Sequence, residues 1–419
     1  MLLSAIADEA QLRRQVEEAV RACPVIDMHT HLFPPEFGEL CLWGIDELLT
    51  YHYLVAELFR SSQVQPHEFW ALSKREQADL IWRVLFVENT PLSEATRGVV
   101  TAMSALGLDP AAGDLSEARR YFASRNLGEH VQRVLRIANV ADVVMTNDPF
   151  DPVEVAAWDS NQPLHPRFHT ALRLDALLHC WSDSHRVLET RGFKVEGKLS
   201  PRTIAESRRF LDSWVERIRP LYFAASFQYD FAYDDSTAAR LLREVALPTA
   251  ADHQIPFAIM IGVARGVNPA LKGAGDGVGR ADIRQVERIC LENPGNRFLV
   301  SALSRENQHE LCVAARKFSN LTPFGCWWFL NNPSIVAEIT TERLEMLGAS
   351  FIAQHSDARI LEQLIYKWSH ARRVIAGSLS TTYLELLRSG YPLTQERIDR
   401  DVSRIFSGNF RDCTRSGVR

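Results

Sequence analysis

The chain has 419 residues, 46% of them hydrophobic and 24% charged, with 47 Lys plus Arg against 52 Asp plus Glu for a formal net charge of -5. That length suffices for two ordinary domains or one elaborated barrel, and the acidic balance gives bulk nucleic-acid binding no electrostatic support. The 7 cysteines include no CxxC pair, and their mostly apolar neighbours suit reduced, buried thiols in a cytoplasm.

In chain order, residues 1–20 carry Asp8, Glu9, Arg13, Arg14, Glu17 and Glu18 without a long apolar core. They read as neither signal peptide nor membrane span, and predict an exposed amphipathic helix. Val25, Ile26 and Met28 then predict a first strand that ends in His29-Thr30-His31, ahead of the loop Phe33-Pro34-Pro35. Imidazoles two positions apart share one face of an extended segment, so both can hold one divalent cation at about 2.0–2.2 Å. Two ordinary polar residues at a strand end are the competing reading. Residues 45–135 predict a helical insertion, with Leu80, Val84 and Val87 spaced as one buried helix face.

From Ala141 onward, short apolar runs recur at 143–145, 168–172, 221–227, 257–261, 298–302, 324–329 and 351–353. Helix-like stretches at 202–218, 282–292, 306–317, 334–347 and 361–374 separate most of them. This is the pattern of parallel β-α units. With the first strand the runs fill an α/β (β/α)8 TIM barrel, one domain over 1–419 with the insertion on its first loop. An open doubly wound sheet is the alternative. Gly273, Gly275, Gly277 and Gly279 lack the context and the Lys-Ser/Thr ending of a phosphate loop, and predict a mobile loop or lid after the fifth strand.

A barrel carries its chemistry at the carboxyl ends of its strands. Polar residues stand there: Asn147 and Asp148, Arg173 and Asp175, Arg265 and Asn268, Ser304, Arg305 and Asn307, Asn331 and Asn332, then His355, Asp357 and Arg359. Asp357 is the attractive third metal ligand, because an eighth strand closes beside the first; it is also a candidate N-cap for a helix near Ala358. The middle strands offer Met260, Gly262, Ser301 and Ser304, and His253 and His309 are poorly placed. A binuclear hydrolytic site would need ligands there. One metal at most is expected, on His29, His31 and Asp357, with His355 packing or lining the pocket unless it competes as a ligand.

Several segments together resemble the uronate (glucuronate) isomerase family, a divergent branch of the amidohydrolase superfamily. They are residues 42–54 (LWGIDELLTYHYL), His29-Thr30-His31, Trp327-Trp328-Phe329 and Ser356-Asp357-Ala358-Arg359. Leu172-Arg173-Leu174-Asp175 looks like the family's F-R-x-D, and 261–268 (IGVARGVN) resembles its I-G-x-x-R-x-x-N. One departure is Met260, where the family often has a histidine. The resemblance implies a distorted (β/α)8 barrel, one divalent metal, commonly zinc with manganese or another cation compatible, and interconversion of an aldose uronate with its ketose.

Such a reaction moves the C2 proton to C1 through a cis-enediolate. Asp357 is the expected base, and Arg359 and the metal the expected neutralising charges. The resemblance places His52 and Tyr53 in the pocket, Tyr53 as proton relay or oxygen donor; on its own Tyr53 reads as an amphipathic helix residue. Arg173 is the candidate for the C6 carboxylate, unless Asp175 takes it as a plain salt bridge. Trp327, taken as alternating with Trp328 along a strand, is favoured to pack on the sugar. The partner expected is a small sugar acid, with no nucleic acid and no membrane, and the insertion offers a surface for self-association. The rivals are a mononuclear amidohydrolase or decarboxylase on the same barrel, and a non-catalytic sugar-acid binder.

Overall fold

Short apolar runs alternating with helices become, in the computed structural model, a parallel sheet that curls into a barrel. The structure describes Ile6, residues 8–160 and residues 163–414. The strands are β1 Val25–Thr30, β2 Val140–Asn147, β3 Phe168–Arg173, β4 Phe223–Gln228, β5 Phe257–Ala264, β6 Gly277–Val278, β7 Phe298–Ala302 and β8 Leu321–Pro323. They pair in the order β1-β2-β3-β4-β5-β7-β8, with β6 a short antiparallel addition on β5.

Alternation along the strands divides the core in two. Met28, Val144, Ala171, Ala258, Met260 and Leu299 fill the interior, while Phe223, Phe257, Ile259, Phe298 and Val300 pack beneath the surrounding helices. Met260 is therefore an interior packing residue.

The barrel is distorted where it closes. Where the sequence suggests an eighth strand at 351–353, a single bridge joins Ile352 to Phe324. The chain then reaches β1 through two backbone bonds, Asp357 N–H to the His29 carbonyl (3.2 Å) and His31 N–H to the Ala358 carbonyl (2.8 Å). The predicted strand at 324–329 is also corrected: β8 ends at Pro323, Trp328 begins a short 3-10 turn with φ 46°, and Trp327 and Trp328 do not alternate on a strand.

Between β1 and β2 the chain is helical from Ile45 onward, ending in helix Leu127–Ile137. The first helix, Glu9–Ala22, is amphipathic and buries Leu12, Val16, Ala19 and Val20; the expectation for residues 1–5 and 7 lies outside the described residues. The last barrel helix runs much further than the sequence pattern suggests, from Gln363 to Arg388. All seven cysteines are free thiols; Cys180 is exposed, against the expectation of burial, and Cys23 and Cys413 are half-buried. Among the described residues no helix is long and apolar enough to cross a membrane.

The glycine-rich loop after β5 is docked. Trp70 Nε1 donates to the Ala270 carbonyl at 2.9 Å, and Lys272 lies 4.3 Å over the same indole. Asn268 N–H donates to the Gly275 carbonyl at 2.9 Å.

Candidate metal centre and active site

A bulge in β1 aims the two histidines. Asp27 pairs with Val143 and Thr30 with Met145, so three steps on β1 face two on β2. Such an extra residue breaks the alternation and re-aims side chains. Met28 stays inside the barrel while Asp27 points outward to Trp368, and the next ring, His29, turns back inside toward His355 and Tyr222.

The rings of His29 and His31 stand 5.6 Å apart, edge to face. Their Nε2 atoms lie 3.9 and 3.4 Å from Asp357 Oδ1, and the three donor atoms fall within 4.8 Å of one another. Asp357 Oδ1 is buried with no hydrogen-bond partner. A buried carboxylate oxygen without a donor is costly, and two imidazoles with a carboxylate form a donor set suited to a borderline divalent cation. The residues therefore fit a metal ion, and they are the one such group among the described residues.

Asp357 is held by its backbone. Its φ is 52°, a left-handed conformation. The fully buried Asp27 fixes the same segment, accepting from Ser356 N–H at Oδ1 (2.9 Å) and from Trp368 Nε1 at Oδ2 (2.8 Å). The N-cap alternative for Asp357 is not what forms: Ser356 Oγ accepts from Ala358 N–H, and the helix starts at Gln363.

Around this centre the structure gathers Arg359, Arg173 and the Tyr51-His52-Tyr53 cluster. Arg359 is exposed, yet close enough that its charge adds to burial in lowering His31 and His52. Arg173 donates through Nε (3.0 Å) and Nη2 (3.3 Å) to Asp175, as the plain salt-bridge reading requires, and Nη1 has no partner among the described residues. The His52 ring packs 4.5 Å from Tyr53 and 5.8 Å from Trp328, and its Nε2 is buried and unpartnered. Trp328 is thus the indole beside His52, whereas Trp327, favoured from the sequence, packs inside the barrel. His355 is wholly buried, its ring 5.4 Å from His29 and both nitrogens unpartnered.

Other strand-end polar residues serve the fold. Ser304 caps a turn through Glu306 N–H, Arg305 pairs with Glu338, and Asn307 bonds the Ala281 backbone in both directions. Arg265 pairs with Asp276. Sequence reasoning missed Asp27, Trp368, Thr146 and Tyr222. Asp27 was findable as a carboxylate inside an apolar strand, and Tyr222 as a hydroxyl at the head of one.

Burial pushes His29, His52 and His355 down to about 3 and His31 well below its ordinary value, so the four imidazoles are neutral near pH 7. A base depressed in the folded state contributes stability above its unfolded value of about 6.5, lost as pH falls toward the folded value. Asp27 has the opposite sign: burial pushes it up to about 6, so it favours folding as pH falls from 6 to its ordinary 3.8. Glu154, pushed up to about 8 by burial, and Asp148 and Glu57, also raised by burial, share the sign of Asp27, while burial lowers His165, His179 and His370 like the other rings, so the imidazoles outweigh the raised carboxyls. The metal-free protein should melt at progressively lower temperature as pH drops from about 6.5 to 4, and a flat calorimetric profile would contradict this assignment.

No family model matches the chain, and no curated protein matches its sequence. Among solved structures, it is 53% identical to a uronate isomerase from Bacillus halodurans C-125, over 98% of this chain and 97% of that one, with a TM-score of 0.96. A uronate isomerase from Thermotoga maritima (13% identity, 98% of each chain, TM-score 0.79) shares the fold. So does a glucuronate isomerase from Caulobacter crescentus (16% identity, 99% and 95%, TM-score 0.78). With the distorted barrel, the His-His-Asp centre and more than half the residues of one such enzyme held in common across nearly the whole length, this chain belongs to the uronate isomerase family.

Proposed function

We propose that the protein interconverts D-glucuronate with D-fructuronate, and D-galacturonate with D-tagaturonate, by proton transfer between C2 and C1 of the open-chain sugar acid. The observation that carries this reading is Asp357, whose Oδ1 is turned to two neutral imidazoles and whose second oxygen remains for a proton, with Arg359 two residues on. His29, His31 and Asp357 would hold a divalent ion, zinc, manganese or a similar cation, whose chemistry there would be to supply positive charge near the substrate oxygens.

The remaining roles belong to side chains. Asp357 takes the C2 proton and returns it to C1, and the Arg359 guanidinium at the mouth offsets charge on the enediolate as it forms. Tyr53, whose phenol burial holds well above its ordinary value, stays protonated and donates to a substrate oxygen or relays the proton. His52 donates or accepts as a neutral ring. Trp328, beside it, is better placed than Trp327 to cover the sugar.

Arg173 binds the C6 carboxylate. Asp175 occupies one side of its fork and fixes its orientation, leaving Nη1 and the second Nη2 proton as a donor edge. Arg173→Lys keeps the charge and loses the fork, so KM for glucuronate should rise roughly 10-fold or more with kcat little changed, the worth of one or two charged hydrogen bonds. An unchanged KM would move carboxylate recognition elsewhere.

The deciding experiment is incubation with D-glucuronate and D-galacturonate in deuterated water, following ketose formation and deuterium at the exchanging carbon. Ketose from either supports the proposal. The absence of both isomerisation and exchange, with both sugars, would overturn it.

A further inference from the structure

Two buried hydroxyls reach the metal-site histidines from behind. Tyr222, immediately before β4, extends across the barrel interior to β1, three strands away in the sheet order. Its hydroxyl donates to the Met28 carbonyl at 2.6 Å and lies 3.0 Å from His29 Nδ1. Thr146, on the neighbouring β2, repeats the arrangement: its Oγ1 donates to the Thr30 carbonyl at 3.1 Å and lies 3.0 Å from His31 Nδ1. The two carbonyls belong to the residues on either side of His29.

We infer that Tyr222 and Thr146 are positioning residues that set the tautomer of both histidines, each hydroxyl oxygen accepting a hydrogen bond from Nδ1–H so that Nε2 faces Asp357 as a bare lone pair. The direction follows from counting protons. A hydroxyl has one proton and can accept elsewhere, and a carbonyl can only accept. With the hydroxyl proton donated to the carbonyl, the hydroxyl oxygen can only accept from the ring, and Nδ1 must carry the hydrogen. Each neutral imidazole has a single N–H, so both Nε2 atoms are left without one. Three acceptors, two Nε2 and Asp357 Oδ1, then converge with no donor among them, an arrangement completed by a cation.

The burial of these hydroxyls matters. Tyr222 is 0% exposed and Thr146 3%, so bulk water cannot replace either one when it is removed. Partners of this kind behind a ligating histidine are worth 10–100-fold in metal affinity. The hydroxyls also fix ring rotation, since each ring is held at Nδ1 from outside β1, by Thr146 of β2 or by Tyr222 ahead of β4, while Nε2 stays open.

The inference rests on the metal reading above, and the test separates the two. Zinc affinity of the metal-stripped full chain is measured by chelator competition for the wild type, Tyr222→Phe, Thr146→Val and Thr146→Ser, with melting temperature as the check on folding. Expected are roughly 10–100-fold weaker binding for Tyr222→Phe and Thr146→Val, and near wild-type binding for Thr146→Ser, which keeps the hydroxyl. Should Tyr222→Phe fail to fold, the contrast between Thr146→Val and Thr146→Ser decides. A wild type that takes up no zinc would overturn the metal reading and the inference with it. A wild type that binds, alongside Tyr222→Phe and Thr146→Val that bind equally well, or a Thr146→Ser as weak as Thr146→Val, would overturn the inference alone.

Discussion

Asp357→Asn should lower kcat for uronate isomerisation about 10²- to 10⁴-fold, the range supplied by a positioned general base, while uronate binding survives. Asparagine is the informative substitution because it tolerates the left-handed φ of 52° found here, which alanine does not. It also keeps the volume beside the two imidazoles. It removes the base and replaces a charged donor of the metal group by a neutral one, so metal affinity should fall too. Steady-state kinetics would be paired with calorimetric titration of glucuronate into the metal-loaded variant. Retained binding with lost turnover assigns Asp357 to proton transfer. Wild-type kcat would remove it from that role.

Periodicity is what made the barrel legible. Residues 143–145, 168–172, 257–261 and 298–302 all fall within strands, because burial on both faces of a parallel strand leaves a short apolar run bounded by polar residues. The eighth position was harder. Phe351 and Ile352 are apolar enough for a strand, but the chain makes one bridge there and then turns to β1 through Asp357 in a left-handed conformation. Nothing in an aspartate's identity announces a positive φ. Trp327 and Trp328 show the same limit, since period-two reasoning holds only while the backbone stays extended and Trp328 leaves that region.

The site divides similarly. His29, His31 and Asp357 were legible because metal-binding residues are few in type and the barrel demands them at strand ends. The roles of Tyr222, Thr146 and Asp27 were not, even where a polar group in an apolar run marks the residue, since each acts through a neighbour distant in sequence: 193, 115 and 341 residues separate Tyr222 from His29, Thr146 from His31 and Asp27 from Trp368. Of the two readings of Arg173, the salt bridge to Asp175 is the one that forms. Asp175 takes one side of its fork and thereby orients the other.

Gly325→Ala should be the most damaging single-methyl change near the centre. Gly325 follows β8 with φ +60°, and an added Cβ would stand 1.8 Å from His355 Nδ1 and 2.5 Å from the adjacent ring carbon. The left-handed backbone alone costs alanine about 1–2 kcal/mol. The steric term is larger than usual because the ring cannot swing away: His355 is wholly buried, between Phe324 at 5.2 Å and His29 at 5.4 Å. Overpacking a rigid core typically costs a further 1–3 kcal/mol, so a loss on the order of 4 kcal/mol is expected, in the range reserved for severe defects. Any relief must come through His355, and pushing that ring moves His29 with it. Denaturant unfolding of Gly325→Ala, His355→Ala and the double variant would test this as a cycle. If the clash is the cause, His355→Ala should restore much of the stability lost in Gly325→Ala, leaving mainly the backbone term. If the two losses simply add, the damage comes from φ alone and the His355 contact is not what demands glycine at this position.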